Sequence, residues 1–576
     1  MSLTSSLLIG RSALTASQLA LQVTGNNIAN VGAAGYHRQG VSLAPTRGDQ
    51  SNPGLFVGRG VSVADIRRAI DPALQTRLRA GLSDEASAQV GASIMSQLES
   101  VMGELGDNDL SSELGRFFNA FSELANNPSA SINRSAVVEQ GASLASFVRR
   151  LRTDLADQRD QVDRELGAGV ERADALLDEI ASLNLAVVQA ELGQGTDGNL
   201  RDQRDALIDE LSGLIDITAI ERESGAVDIL VGSTPVVLGT ASRGLEPDFR
   251  TVNNDVEARV LVTESQEAIK LTGGRLGGLL AQRDGAIQQT IDDLDALAGA
   301  VIFEVNSLHA SGRPQARITD TAGSRKFAIA DQARAFNDPA NTTIAELPFG
   351  PRTGSFRVVI TDQNGNRSEQ TVFVDLDGID NAGAASTAND TSAAGIVATL
   401  DAIANLRAEF TADGRVRVST DSGFDVSFAD DTSGVLATLG INSYFDGKDA
   451  TDIAVRDALR QNPLGLTIGL SEGTNETALA IAGLRDGPIA SLEGDSLSQR
   501  WQKTVERTAV GARAAATQAD AAATVRASLE AQNAAVSGVS LDEEAINLIN
   551  YQQQYAGAAR FISVVNELTD ILLNLV

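Results

Sequence analysis

Residues 1–31 carry a seven-residue repeat of apolar positions, which is typical of a helix that packs along one face. The repeat falls on Leu7, Leu14, Leu21 and Ile28, with a companion set three positions later at Gly10, Ser17, Thr24 and Val31. This spacing places both sets on one side of an α-helix. The pattern predicts a helix of about 28 residues, roughly 42 Å long. It should end at Gly32 and Gly35, because glycine disfavours helix.

The C-terminal residues repeat this arrangement. The second repeat falls on Leu541, Leu548, Tyr555, Ile562, Thr569 and Val576, with companions at Tyr551, Ala558, Val565 and Leu572. Ser540 and Glu543 form a capping box, which predicts that the helix begins at Leu541. Burying each aliphatic side chain of such a stripe contributes on the order of 1.5–3 kcal/mol. The terminal helices are therefore expected to pack together or against neighbouring copies of the chain.

Between these ends, the apolar pattern alternates between helical and strand-like spacing. Helical spacing predicts helices at 71–127 with a break near 103–109, at 132–192, at 199–214, at 276–309 and at 491–534. Alternating spacing predicts short strands at 215–220, 227–231, 236–238 and 256–262. Strand signals also dominate 313–488, where we expect hairpin turns at 362–366 and 413–414 and a loop at 381–394.

This order of elements predicts a multidomain α+β protein. The N- and C-terminal helices pair as a coiled coil or helical bundle, beside a long helical domain, and β-rich domains are inserted in the middle of the chain. The expected parts are a terminal polymerisation domain (1–60 and 538–576), a long-helix domain (61–210, 276–312 and 490–537), a small β-rich element (211–275) and an outer β-rich domain (313–489). The 576 residues agree with three or four domains of about 150 residues.

Composition narrows the class of function. The chain is 43% apolar but only 4% aromatic, so we expect an aliphatic interior. A net charge of −30 argues against nucleic-acid binding, and the lack of cysteine excludes disulfides, thiolate zinc sites and cysteine nucleophiles. The longest apolar run, 296–303, is too short for membrane insertion. Residues 1–10 contain no basic residue, so we expect no cleaved signal peptide.

The acidity is unevenly distributed along the chain. Residues 1–70 contain six arginines and two aspartates, a balance of +4, so the remaining residues carry −34. Arg11 is the only charged residue within 1–31. A terminal stripe with almost no charge and an acidic body are typical of a subunit whose end packs against neighbours while its body faces water.

No pattern indicates a catalytic centre. His37 and His309 are the two histidines, and neither has a partner at zinc-site spacing; no G-x-S-x-G motif provides a serine nucleophile. An EF-hand alignment starting at Asp362 lacks the required glycine and final glutamate. Residues 273–278 lack phosphate-loop spacing and predict a close-packed strand-to-helix turn. We therefore expect no catalytic, cofactor-binding or metal-binding residues.

One segment at the end of the first helix has an unusual composition. Asn26, Asn27 and Asn30 follow the apolar stripe, and Gly35 and Tyr36 come shortly after. Three asparagines lower helix propensity. They either stop the helix or present amides that hydrogen-bond a neighbouring subunit or strand, and the residues alone favour neither interpretation.

This segment resembles a known family. Asn26-Asn27-Ile28-Ala29-Asn30 with Gly35-Tyr36 is similar to the N-terminal signature of flagellar rod, hook and hook-associated proteins, and residues 537–544 with 548–555 are similar to the C-terminal signature. Both signatures occur here, one at each end.

The middle of the chain narrows the resemblance. The long helix at 132–192, the segment 199–205 and the turn at 273–280 resemble the hook-associated proteins that join hook to filament. The resemblance covers 1–310 and 490–576.

The resemblance implies a structural subunit that forms the junction ring between hook and filament through its terminal helices. It implies as partners further copies of the chain, the hook protein, a second hook-associated junction protein on the filament side, and a cytosolic export chaperone on the C-terminal helix. It also implies export through the flagellar type III apparatus to an extracellular flagellum. The residues expected at the subunit interface are Leu7, Leu14, Leu21, Asn26, Asn27, Ile28, Asn30, Tyr36, Leu548, Tyr551, Tyr555, Ile562, Val565 and Leu572.

Two alternatives remain. The first is the hook protein or another flagellar axial subunit, although hook proteins are mostly β between their termini and the long helical pattern at 132–192 argues against this. The second is a secreted calcium-dependent adhesin or hydrolase with its function in the β-rich region. The lack of a usable histidine, cysteine or serine centre argues against catalysis.

Overall fold

The computed structural model describes residues 3–33, 35–47, 49–52, 55–103, 109–192, 195–252, 255–380, 382–471 and 473–573. The α-helices are α1 (Leu3–Ala29), α2 (Pro72–Met102), α3 (Leu110–Asn126), α4 (Ser131–Glu191), α5 (Gly198–Leu214), α6 (Gly274–Gln282), α7 (Gln288–Ala310), α8 (Ile329–Gln332), α9 (Thr342–Ala345), α10 (Ala393–Asp401), α11 (Val435–Leu439), α12 (Asp457–Gln461), α13 (Glu476–Gly483), α14 (Leu497–Ser537) and α15 (Leu541–Leu573). A π-helical turn, Arg283–Ile287, joins α6 to α7.

The long predicted helices are confirmed, and local hydrogen bonds explain where several begin. α1 and α15 cover the two seven-residue repeats, and α4 continues for 61 residues. Asp109 begins α3 by accepting a hydrogen bond from the N–H of Ser112, and Asp197 caps α5 in the same way. Within the described ranges, no helix is both long and apolar enough to cross a membrane.

The strands form several small antiparallel sheets. They are β1 (Gln39–Pro45), β2 (Asp49–Asn52), β3 (Leu55–Val57), β4 (Val61–Arg68), β5 (Thr218–Glu221), β6 (Val227–Val231), β7 (Thr234–Leu238), β8 (Ala241–Ser242), β9 (Leu245–Val252), β10 (Asp255–Val262), β11 (Glu267–Ile269), β12 (Asp320–Lys326), β13 (Gly354–Asp362), β14 (Arg367–Val374), β15 (Leu406–Phe410), β16 (Arg415–Thr420), β17 (Phe424–Ala429), β18 (Phe445–Asp446) and β19 (Ala454–Val455). The larger sheets have the orders β5-β6-β7-β8, β11-β10-β9, β12-β16-β15 and β14-β13-β17.

Both predicted hairpin turns are confirmed. β13 and β14 are joined at Asp362, whose Oδ1 accepts hydrogen bonds from the N–H groups of Asn364 and Asn366 at 2.8 and 2.9 Å. β15 and β16 are joined at Gly414, which has φ +84°. Asp362 thus shapes a turn, as expected from the failed EF-hand alignment.

The glycine-rich segment 273–278 forms the predicted strand-to-helix turn between β11 and α6. Gly274 has φ +69°, and a Cβ at this position would lie 2.5 Å from the backbone of Leu214. A Cβ at Gly278 would lie 2.9 Å from the carbonyl oxygen of Ser87. Glycine is needed here because two backbones approach closely.

The structure differs from the prediction in the shorter elements. β1 and β4 pair where no strand was predicted, and a register shift at Ser42/Leu43 breaks the alternation on which strand prediction depends. α10 begins inside the predicted loop 381–394, because Ser392 Oγ caps it by accepting a bond from the N–H of Gly395. α11, α12 and α13 interrupt the region predicted to be β-rich. Each has five to eight residues, too few for a helical period to be visible in the sequence.

The chain separates into two compact units. Unit 1 comprises Met1–Ile94, Gln161–Arg283 and Arg513–Val576, and unit 2 comprises Met95–Asp160 and Asp284–Ala512. The division into four parts stays a prediction.

The two units differ in the composition of their interiors. Unit 2 buries an aromatic cluster in which the ring of Phe117 lies 5.2 Å from Phe121 and that of Tyr444 lies 4.6 Å from Phe445. The single tryptophan, Trp501, is also buried in this unit. The interior is mainly aliphatic, as expected, and the few buried aromatic side chains are concentrated in unit 2.

Candidate assembly surface

The two terminal helices, α1 and α15, pack against each other in opposite directions. Near the start of α1, a Cβ at Gly10 would lie only 2.7 Å from Cγ1 of Ile562, which belongs to the second half of α15. Near the end of α1, the amide of Asn27 reaches Glu544 in the first turn of α15. The expectation that the terminal helices pair within the chain is confirmed.

Small residues, rather than leucines, form the contact face of α1. Its buried positions are Gly10, Ala16, Ser17, Ala20, Val23, Thr24 and Asn27. On α15, the buried positions are Glu544, Ala558 and Val565. Three members of the companion set, Gly10, Ser17 and Thr24, are therefore buried, and the absence of a side chain at Gly10 allows the backbone of α1 to approach Ile562 of α15 closely.

A large part of the apolar surface of this pair remains exposed. Leu7 and Leu8 of α1 are 37% and 53% exposed. On α15, the exposed apolar side chains include Ile546, Ile549, Phe561, Val564, Leu568 and Ile571, each between 44% and 60% exposed. The last four follow a spacing of three and four residues, so they form one face of the helix. We call these six residues the outer face of α15. The spacing of these residues is visible in the sequence, but the predicted heptad positions include none of the six.

Asn27 connects α1 to a strand and to α15. Its Nδ2 donates to the carbonyl of Gln39 in β1 at 2.9 Å and to Oε2 of Glu544 at 3.1 Å. Its Oδ1 accepts from the N–H of Gln39 at 3.0 Å and from the hydroxyl of Tyr36 at 2.8 Å. All its hydrogen-bonding capacity is thus used within the chain, and the side chain is 1% exposed.

The other two asparagines have weaker connections. Asn26 donates to the Tyr36 hydroxyl at 3.2 Å, whereas the side chain of Asn30, among the described residues, donates only to the carbonyl and side-chain oxygens of Asn26. Burial raises the pKa of Tyr36 to about 12, and the Asp202 carboxylate adds to the rise. Both interpretations of the segment hold: α1 ends at Ala29, and one amide bonds a strand.

Charged residues hold this junction onto α5. Asp202 Oδ1 lies 2.7 Å from Nδ1 of His37 and also accepts a bond from Arg68 at 2.7 Å. Arg38 donates to Glu544 Oε1 at 2.9 Å, and Glu544 is 1% exposed. Arg38 and Glu544 were not among the predicted interface residues. Their charge was visible, but only folding brings them to Asn27.

The structure places the predicted interface residues in three environments. Asn27 and Val565 are buried, and Leu7, Tyr555 and Leu572 are exposed. The half-buried ones are Leu14, Leu21, Asn26, Ile28, Asn30, Tyr36, Leu548, Tyr551 and Ile562. Their role between subunits stays a prediction.

His309 is held neutral in the core of unit 2. Its Nδ1 lies 2.8 Å from the carbonyl of Asn442, and its Nε2 accepts a hydrogen bond from the N–H of Thr467 at 3.0 Å. Burial lowers its pKa from 6.5 to about 4. Since both ring nitrogens are occupied, this histidine has a structural role.

One group of acidic residues could hold a metal ion. Carboxylate oxygens of Asp375, Asp377 and Asp390 lie within 4.8 Å of one another. Acidic groups are common at this spacing on protein surfaces without a metal, so the cluster alone defines no site.

Comparison with protein families matches three parts of the chain. Residues 95–323 match the flagellar hook-associated protein FlgK helical domain. Residues 7–37 match the flagella basal body rod protein family, and residues 531–575 match the flagellar basal body rod FlgEFG protein C-terminal family. The last two matches contain the asparagine cluster and α15.

Similar proteins extend the likeness to flagellar hook-associated proteins over nearly the whole chain. The chain is 26% identical to flagellar hook-associated protein 1 of Escherichia coli (strain K12), covering 98% of both, and 26% identical to that of Salmonella typhimurium with the same coverage. It is 29% identical to that of Bacillus subtilis (strain 168) over 52% of this chain and 66% of the relative. The structure of the flagellar hook junction protein FlgK from Burkholderia pseudomallei has a similar fold, with a TM-score of 0.50 and 16% identity, covering 80% of this chain and 100% of that one.

The paired terminal helices, the asparagine junction and the family matches define an axial structural protein of the bacterial flagellum. Within that class, the chain belongs to the FlgK family of flagellar hook-associated proteins, and it is a structural protein of the hook junction. Its α+β fold is that of the family.

Proposed function

We propose that the chain forms the ring between hook and filament by self-assembly through α1 and α15. The outer face of α15 carries this proposal, because it leaves large apolar side chains in water after α1 has packed on the opposite side. Contiguous exposed apolar surface is rare on soluble monomers and marks an interaction site. Burying it between subunits would recover the free energy that the isolated chain leaves unused.

The low charge of the N-terminal helix supports the same role. Arg11 is the only charged residue in α1, so little desolvation cost opposes its burial between subunits. The axial partners that we propose are further copies of the chain, the hook protein on one side and a second hook-associated junction protein on the other.

We also propose a path from the cell to the flagellum. The chain passes through the flagellar type III apparatus and acts outside the cell. A cytosolic chaperone covers the apolar C-terminal helix before export. The protein is a building block and catalyses no reaction.

A point substitution on the outer face tests the assembly surface. Leu568 is 46% exposed on α15, so Leu568→Ser should leave thermal unfolding of the monomer unchanged. In cells that lack the native gene, the variant should fail to incorporate at hook tips. Electron microscopy should then show hooks without filaments. The matched control is Leu479→Ser on α13, since Leu479 is 52% exposed and lies outside the terminal helices.

Deleting residues 538–576 tests the role of α15 as a whole. Incorporation should be lost, while fluorescence of Trp501 should still report a folded unit 2. Normal filaments with the deletion, or with Leu568→Ser, would contradict the proposal.

A further inference from the structure

Unit 2 contains a cleft of about 550 Å³ beside the start of α4, lined by residues within 313–317 and 466–469 and by Ser471, Gly473 and Thr474. Arg134, Arg313 and Arg317 line this cleft, and none of the lining residues among the described part of the chain is acidic. The whole chain has 76 acidic and 46 basic residues. The described lining of the cleft is therefore basic, whereas the chain as a whole is acidic.

Arg134 is a buried cation without a carboxylate partner. It is 7% exposed, and it donates to the carbonyl oxygens of Leu466 at 3.0 Å and Pro128 at 3.3 Å. No ion pair joins it to an acidic residue within the described ranges. Burial lowers the pKa of its guanidinium, because removal from water disfavours the charged form. An anion in the cleft would offset this cost.

The other two arginines share one carboxylate. Arg313 Nη2 lies 3.2 Å from Asp425 Oδ2, and Arg317 Nη1 lies 3.7 Å from Asp425 Oδ1. The Arg317 contact is too long for a hydrogen bond, and its side chain is 57% exposed. Within the part of the chain that the structure describes, the three guanidinium groups thus have a single carboxylate among them. The N-terminus of α4, which follows the lining residues Pro128 and Ser129, adds the positive end of a helix dipole.

We propose that this cleft binds a carboxylate ligand. A guanidinium group holds a carboxylate through two parallel N–H···O bonds, and Arg317 has donors that the described residues leave unused. The carboxylate comes either from an acidic side chain of a second copy of the chain or from a free dicarboxylate. The first source rests on the proposed self-assembly.

Titration of the full chain with malonate tests the site. Calorimetry at constant ionic strength should show saturable binding, with sodium chloride as the reference titration. Arg317→Gln should weaken malonate binding about tenfold, because it removes one charge-assisted contact. The matched control is Arg460→Gln, since Arg460 is 60% exposed and lies 3.7 Å from its nearest acid, Asp457. It should bind malonate as the native chain does.

The outcomes of this titration distinguish a carboxylate of a second copy from a free dicarboxylate. They also show whether the cleft binds a carboxylate at all. Sedimentation measures whether the chain self-associates. If malonate inhibits this self-association, the carboxylate comes from a second copy of the chain. If malonate binds but leaves the oligomeric state of the chain unchanged, the carboxylate comes from a free dicarboxylate. Equal binding by Arg317→Gln and native chain, or no saturable binding, refutes the site. Such a result leaves the proposed assembly standing, because Leu568 tests that separately.

Discussion

Replacing Asn27 by alanine should loosen the junction between α1, β1 and α15. The substitution removes four hydrogen bonds: two to the backbone of Gln39, one to the Tyr36 hydroxyl and one to the Glu544 carboxylate. Alanine restores none of them. Gln39 would lose partners for both its N–H and its carbonyl, and Glu544 would keep only its bonds to other residues.

The magnitude follows from these bonds. Each neutral hydrogen bond contributes about 1 kcal/mol, and the bond to a charged carboxylate contributes about 1.5–3 kcal/mol. Water can reach part of the half-buried Tyr36 and Gln39, so we expect a net loss of about 3 kcal/mol. With this loss, the junction opens locally at least about a hundredfold more often than in the native chain.

Amide hydrogen exchange in β1 and the adjoining end of α1 measures this change. The matched control is Asn30→Ala, because among the described residues the side chain of Asn30 bonds only to Asn26, one turn earlier, and its removal should cost less than about 1 kcal/mol. If both variants exchange at the same rates in β1, the side chain of Asn27 does not hold the junction and the reasoning fails.

Two further predictions concern the cores of the two units. The pKa of His309 falls from 6.5 to about 4 on folding, so the folded state loses stability as the pH drops through this range, by about 3 kcal/mol. Burial raises the pKa of Asp295 to about 6, and this shift changes stability with pH in the opposite direction. The test therefore compares the native chain with His309→Gln by denaturant unfolding at pH 7 and 4.5, followed by Trp501 fluorescence. Parallel pH profiles of the two proteins would contradict the role of His309. In unit 1, Gly274→Ala should lower the free energy of unfolding by about 3 kcal/mol. The backbone at this position is left-handed, and an added Cβ would lie 2.5 Å from a neighbouring backbone. Gly213→Ala, with open space around the position, should raise the melting temperature slightly, and equal melting temperatures for the two variants would refute the packing argument.

The long elements could be predicted because each contains its own signal. α1, α4 and α15 repeat their apolar spacing over many turns, and the turn glycines at 274 and 414 mark positions that require positive φ. The short helices α11 and α12 contain five residues each, so no period can be read from them. The β1–β4 ribbon contains a register shift that removes its alternation.

The candidate site could be predicted only in part. The asparagines were identifiable by their unfavourable position in a helix, but their partners lie far along the chain. Glu544 follows Asn27 by 517 positions, and Asp202 follows His37 by 165. No local pattern connects such residues. The segment 199–205 was recognisable only as a family resemblance, whereas the structure shows why it matters: Asp202 holds His37 and Arg68.

The order of residues alone is enough to predict apolar-striped helices at both ends of the chain, an N-terminal helix with almost no charge, and no pattern that indicates catalysis. Tertiary structure decided which stripe faces inward. The small residues of α1 pack on α15 because they allow close approach, and this leaves the outer face of α15 in water. A heptad repeat specifies that a face will be buried, but the choice between a partner within the chain and one in another subunit depends on which surfaces fit most closely.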